Sequence, residues 1–286
     1  MTIKQALSRA RETLAANHIE DPSLESELLL RHALGISRVQ LYLELEHELS
    51  PEQSQQFRRL IKRRLNHEPT AYITGHREFY GLDFLVSPDV LIPRPETELL
   101  VEKAIRLAQN QTVSTIAEVG TGSGAIAISL ALSLPRVKIY ATDISHAALT
   151  VAQNNCQKHC VTSRVHLLAG DLLEPLPEPV DLIIANLPYV SESALPQLNI
   201  VNFEPALALN GGSDGLEKIR RLCARVSSKL NPGGCLLLEI GQGQSKAVTA
   251  LCRSLFLLAE VAVSPDLSGI DRVVSLTPAS PVADKV

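Results

Sequence analysis

The sequence predicts an α/β protein: a doubly wound, seven-stranded sheet preceded by a small all-helical domain. Three observations lead there. Residues 1–72 show only helical periodicity. Residues 73–95 switch to short alternating runs around Gly81 and Pro88, as in a β-hairpin. From residue 112 the order strand, turn, helix repeats, which implies a mainly parallel sheet covered on both faces. The expected division is a helical domain over 1–72, a hairpin linker over 73–95, a larger domain over 96–278 and a loose tail over 279–286.

Ile3, Leu7, Ala10 and Leu14 recur at helical spacing. Asp21-Pro22 opens a second helix with Leu24, Leu28 and Ala33 on one face, ended by Gly35. Ser37 caps a short third helix through Leu45, and Ser50-Pro51 opens a fourth through Asn66. The fourth carries an apolar stripe of Phe57, Leu60, Ile61 and Leu65, and also Arg58, Arg59, Lys62, Arg63 and Arg64. That basic row reads either as a solvated face balanced by Glu44, Glu46 and Glu48 or as a docking patch for an acidic or RNA-rich partner. Another helix is expected over Thr97–Asn110. The expected strands are Thr115–Val119, Lys138–Thr142, Val165–Leu168, Leu182–Ala185, Cys235–Ile240, Leu255–Val263 and Arg272–Leu276. Helix-like segments separate the first five, and the last two form a closing hairpin.

With 286 residues, 45% of them hydrophobic and 20% charged, the chain can bury a core. A net charge of −4 argues against a general electrostatic grip on nucleic acid. The first eighteen residues lack the apolar core of a secretory signal, and no apolar run has membrane-spanning length. Cys156, Cys160, Cys223, Cys235 and Cys252 are odd in number and contain no C-x-x-C pair. A reduced, cytoplasmic setting is expected, with no membrane association. The scattered histidines show no metal-ligand spacing, so no metal is expected.

Gly120-Thr121-Gly122-Ser123-Gly124 ends the first large-domain strand and opens a helix. Such a turn lets a ligand approach the backbone and offers free N–H groups. Gly124 follows Gly122 by two positions, whereas a dinucleotide fingerprint needs three. Asp143 ends the second strand, where its carboxylate can accept both ribose hydroxyls of an adenosine. Asp171 follows the third strand and either faces an adenine amino group or caps the segment after it.

Asn186-Leu187-Pro188-Tyr189 follows the fourth strand. The residue before a proline is biased to extended backbone, so Leu187 tends to present its carbonyl outward. Asn186 Oδ1 and the Leu187 carbonyl can together accept both hydrogens of an –NH2 group, and Tyr189 can stack on a planar amide or base. Holding those hydrogens out of conjugation would make a poor nitrogen nucleophile competent for methylation. A simple turn after a strand is the competing reading.

These residues resemble a known family. Asn186–Tyr189 is similar to the N-P-P-Y motif of amino-methyltransferases, and with Gly120–Gly124 it resembles class I methyltransferases. The closer resemblance is to the PrmC or HemK family of protein-(glutamine-N5) methyltransferases. It also rests on Thr70–Gly75 with Phe79-Tyr80-Gly81, Ile92–Glu98, Phe203–Leu209 and Gly211–Leu216. The resemblance implies a class I methyltransferase-type sheet with a substrate-recognition domain at the N-terminus. It implies S-adenosyl-L-methionine as methyl donor and S-adenosyl-L-homocysteine as product. The target would be the glutamine of a Gly-Gly-Gln motif in a peptide-chain release factor, methylated by a monomer that needs no nucleic acid. By position, Gly120, Thr121, Gly122, Ser123, Gly124, Asp143, Asp171 and Asn186 would hold the cofactor, and Asn186, Leu187, Pro188 and Tyr189 the glutamine amide. The family usually has Pro where this chain has Leu187. Methylation of a nucleic-acid base, methylation of a ribosomal-protein glutamine, and a non-catalytic adapter role are the alternatives.

Overall fold

The computed structural model describes residues 1–197 and 202–278; the expected tail over 279–286 lies outside them. The chain divides into two compact units, Met1–His76 and Arg77–Val286.

The first unit holds α1 (Ile3–Ala16), α2 (Pro22–Leu34), α3 (Arg38–Leu43), α4 (Pro51–Leu65) and α5 (Thr70–Thr74). Thr2, Ser37 and Ser50 each close a capping box with the Gln three residues on, satisfying backbone groups that would otherwise be orphaned. Ile3, Leu14, Leu29, Leu30, Leu41 and Phe57 build its core. The face of α2 differs from expectation: Leu24 is exposed, and Leu29, Leu30 and Ala33 point inward. That rotation buries Glu27, which is met by Arg38 at 3.0 Å and by the Tyr42 hydroxyl at 2.9 Å. The basic row of α4 is partly neutralised by partners the sequence reading did not name. Arg63 pairs with Glu68, and Arg64 with Glu25.

A hairpin, β1 (His76–Phe79) and β2 (Leu82–Leu85), begins at the last residue of the first unit and otherwise belongs to the second, where Phe79 and Phe84 are buried in the core of the main sheet. A 3-10 turn (Pro95–Thr97) leads into α6 (Glu98–Asn110). Glu98 accepts a hydrogen bond from Tyr80 N at 2.8 Å, which ties the hairpin turn to that helix start. There follow β3 (Thr115–Val119), α7 (Ala125–Ser133), β4 (Lys138–Asp143), α8 (His146–Lys158), β5 (Val165–Ala169), β6 (Val180–Ala185), α9 (Ala206–Leu209), α10 (Glu217–Val226), β7 (Leu230–Glu239), α11 (Ser245–Leu255), β8 (Glu260–Pro265) and β9 (Asp271–Thr277).

The seven strands lie in the order β5-β4-β3-β6-β7-β9-β8, with β9 antiparallel to both neighbours. Their inner residues are apolar on both faces, as a sheet sandwiched by helices requires. Two expectations need correction. No helix separates β5 from β6; residues 170–179 form turns, where Pro175, Pro177 and Pro179 block helical hydrogen bonding. The strand expected over Leu255–Val263 begins only at Glu260, because Val248, Leu251, Cys252 and Leu255 continue a helical period that ends at Leu255.

Register aligns the strand ends. Val119 pairs with Thr142 on one side and with Ala185 on the other. Gly120, Asp143 and Asn186 therefore leave the sheet side by side, where the strand order reverses and ligands of open α/β sheets bind.

Candidate active site

The turn after β3 is built around two carboxylates. Gly120 N and Thr121 N both donate to Thr142 O at 2.9 Å. Asp143 accepts from Gly122 N through one oxygen and from Ser145 N through the other, each at 2.9 Å. Beneath the turn, Glu118 accepts from Thr121 Oγ1 at 2.6 Å and from Ala127 N at 2.9 Å. Glu118 is 1% exposed. Burial pushes its carboxyl up to about 8 despite those two hydrogen bonds. Gly124, at φ +81°, starts α7 in the left-handed region, and a Cβ there would lie 3.1 Å from Ile128 Cδ1. Asn155 is buried and fully bonded: it takes Leu85 N and gives to Leu85 O and Ser123 O, joining the hairpin to the turn.

A cavity of about 200 Å³ opens above these strand ends. Gly120, Thr121, Ser123 and Asp143 line one part of it, and Asn186, Leu187 and Pro188 another. Asp171 also reaches its wall, paired with Arg221 and lying 3.9 Å from Arg225. No helix follows Asp171, so it does not act as a helix cap. The next residue, Leu172, holds a left-handed φ of +51° while its carbonyl accepts from Thr142 Oγ1 at 2.8 Å. Gly122 and Gly124 shape the turn from behind the wall.

Asn186 Nδ2 donates to Thr97 Oγ1 at 3.1 Å, which fixes the orientation of its amide. Leu187 is buried, its Cδ2 closing against Gly120. The ring of Tyr189 stands against Gly241 instead of on the cavity wall. Burial and the nearby Glu239 push its hydroxyl up to about 12. Its carbonyl accepts from Gln244 Nε2 at 3.0 Å. The Asn186–Val190 loop is moulded onto a glycine segment: a Cβ at Gly211 would lie 2.7 Å from Pro188 O and 2.8 Å from Tyr189 Cα.

In the sequence, Glu204 reads as ordering the neighbouring loop, fixing Arg94 or facing solvent, whereas Thr97, Glu118 and Glu239 are given no role. Arg94 lines the cavity and pairs at 2.5 Å with Glu204, whose side chain is fully buried. Burial raises the Glu204 carboxyl, and Arg94 opposes that rise. Glu239, the last residue of β7, is 1% exposed, and neither of its oxygens has a hydrogen-bond partner among the described residues. A lone acid inside the apolar runs Ile116–Val119 and Leu236–Ile240 was the available signal for Glu118 and Glu239.

Comparison with known proteins follows the same division. Residues 5–75 match the PrmC N-terminal domain, and residues 95–203 match the methyltransferase small domain. The release factor glutamine methyltransferase of Moorella thermoacetica is 48% identical over 274 residues, covering 95% of this chain and 97% of the relative. The chain belongs to the release factor glutamine methyltransferase family. A second family member, from Koribacter versatilis, is 43% identical over 279 residues, covering 96% of this chain and 98% of its own. The ribosomal protein L11 methylase of Lactobacillus delbrueckii subsp. bulgaricus shares the fold, with TM-score 0.51 and 20% identity over 68% of this chain and 84% of that one. The chain is thus a methyltransferase, and its cavity lies at the ends of β3, β4 and β6. No helix among the described residues is long and apolar enough to cross a membrane.

Proposed function

We propose that this enzyme methylates the side-chain N5 of the glutamine in the Gly-Gly-Gln motif of peptide-chain release factors, using S-adenosyl-L-methionine. It would act as a cytoplasmic monomer, without nucleic acid. The carrying observation is the Asn186–Leu187 pair on the cavity wall, with the Asn186 amide held by Thr97.

The donor set suits the cofactor. Asp143 keeps lone pairs for ribose hydroxyls beyond the two backbone hydrogen bonds it accepts. Asp171 and the apolar Ile144 and Leu172 form a wall fit for an adenine, and the acids favour a cationic ligand. When bound, S-adenosyl-L-methionine supplies an electrophilic sulfonium methyl and is left as S-adenosyl-L-homocysteine.

The protein's own part is orientation. Asn186 Oδ1 and the Leu187 carbonyl accept the two hydrogens of the glutamine amide, turning its nitrogen lone pair out of conjugation and toward the methyl group. Positioning of this kind supplies much of the rate in a reaction that needs an in-line approach. The methylated nitrogen sheds its extra proton to water, so no protein base is required. The Leu187 contact is made by backbone, which explains how leucine can stand in place of proline.

Incubation with S-adenosyl-L-methionine and a Gly-Gly-Gln release factor should add one methyl mass to that glutamine. Labelling of RNA, DNA or a ribosomal protein in its place would overturn the reading.

A further inference from the structure

The Glu239 carboxylate is buried at the end of β7 with both oxygens unpartnered, an arrangement that costs stability unless it serves something else. The register of Ala185 against Leu238 sets Asn186 beside Glu239, and the Thr97 hydroxyl and Asn186 amide favour its ionised form without completing a hydrogen bond to it. These two are joined to each other at 3.1 Å. We propose that Glu239 is a positioning residue that, through the Thr97 hydroxyl, decides which end of the Asn186 amide faces the cavity. This rests on the reading that Asn186 holds the substrate amide.

A hydroxyl can donate once while accepting from another group. With Glu239 ionised, the Thr97 proton turns toward the carboxylate, and the Thr97 lone pairs face Asn186 Nδ2. The amide is locked and Oδ1 points into the cavity. With Glu239 protonated, its pull on the Thr97 proton is gone and its O–H becomes a second donor facing Thr97, so the lock on Asn186 loosens. The charged and titratable groups facing Glu239 are Glu96 from the turn before α6, Tyr189 from the loop after β6, and Arg272 from β9. Arg272 is itself bound to Asp266 at 3.2 Å. Burial outweighs the hydrogen-bonding groups and Arg272, and pushes Glu239 up to about 7. The switch therefore lies at neutral pH.

The test uses isotope-labelled, full-length protein. The Asn186 side-chain amide resonance, assigned by its loss in Asn186→Ala, should move with pH around a midpoint near 7 and stand still in Glu239→Gln. In steady-state kinetics, kcat of the wild type should rise with pH through the same midpoint. Glu239→Gln should lower kcat about ten- to hundred-fold and flatten its pH profile, leaving KM for the release factor and donor affinity unchanged. Thr97→Val should reproduce the loss and Thr97→Ser restore most of it, while the Glu239→Gln/Thr97→Val double variant should be no worse than either single one. Wild-type kcat and pH profile in Glu239→Gln, or an Asn186 resonance that still titrates there, would overturn the inference. If the wild type itself transfers no methyl group, the proposed function fails, and the resonance titration alone then decides the role of Glu239.

Discussion

Asp143, the last residue of β4, accepts the backbone N–H of Gly122, twenty-one positions earlier in the turn after β3, at 2.9 Å. The acid and the glycine turn are one construction, since the carboxylate proposed to meet the ribose also sets the backbone of the turn. Replacing Asp143 should therefore do two things. Asp143→Ala should raise the donor dissociation constant at least about ten-fold and cost about 1–3 kcal/mol of stability through the orphaned backbone donors. Asp143→Asn should recover much of the stability but less of the affinity. Calorimetry with S-adenosyl-L-methionine, paired with denaturant melts, separates the two effects.

Asn186→Ala should reduce methyl transfer about a hundred- to thousand-fold, as removal of a preorganised polar contact to the reacting group does. Donor affinity should weaken only modestly. By contrast, Leu187→Ala should keep turnover within the same order of magnitude while costing about 2 kcal/mol, because only a buried side chain is lost. Single-turnover rates and melting curves check both variants. Wild-type turnover in Asn186→Ala would remove the amide-holding mechanism.

Much of this arrangement was legible in the chain. Thr115–Val119 is a strand with the bounds expected, since its apolar residues sit between turn signals. The glycine turn, Asp143 and Asn186 could be assembled because each follows a strand, and parallel strands bring their ends to one edge. Pairings remote in sequence were harder to read. Glu204 was open to three roles, of which the pairing with Arg94 is the one observed. Nothing local links Thr97 to Asn186, which only the packing of the segment before α6 brings together. Tyr189 shows the other limit, because its residue type suggested stacking but the backbone of the loop sends its ring toward Gly241. Leu257 and Leu258 misled the reading of β8; they are exposed in the turn after α11, where an apolar run carries no burial.

Glu118 gives the protein a pH-dependent stability. Its carboxyl lies near 8 in the folded chain, against an ordinary 4.5. Between those values the folded state holds a proton that the unfolded state has released, so stability is full below about 4.5 and falls as pH rises through about 8. The loss should be on the order of a few kcal/mol, and Glu118→Gln should flatten it. A cationic donor in the cavity would favour the ionised form, so binding near pH 7 should release protons. Titration calorimetry in buffers of different ionisation enthalpy reads that release directly, and no buffer dependence would exclude it.

Arg94 and Glu204 form a pair in which the acid is wholly buried. Removing the arginine strands a charge with no solvent to hold it. Arg94→Ala should cost roughly 3 kcal/mol, and Glu204→Gln added to it should return part of that loss. A double-mutant cycle in urea measures the coupling, and simple additivity would mean that the pair contributes nothing.

The glycine bed under the Asn186–Val190 loop has a practical corollary. A single extra carbon at Gly211 would press on the backbone of Pro188, Tyr189 and Gly215, with no contact to the glycine turn after β3. Gly211→Ala is thus a way to silence the enzyme by displacing that loop. It should give an inert decoy that still takes up donor and still docks a release factor, and so holds the two together long enough to be isolated.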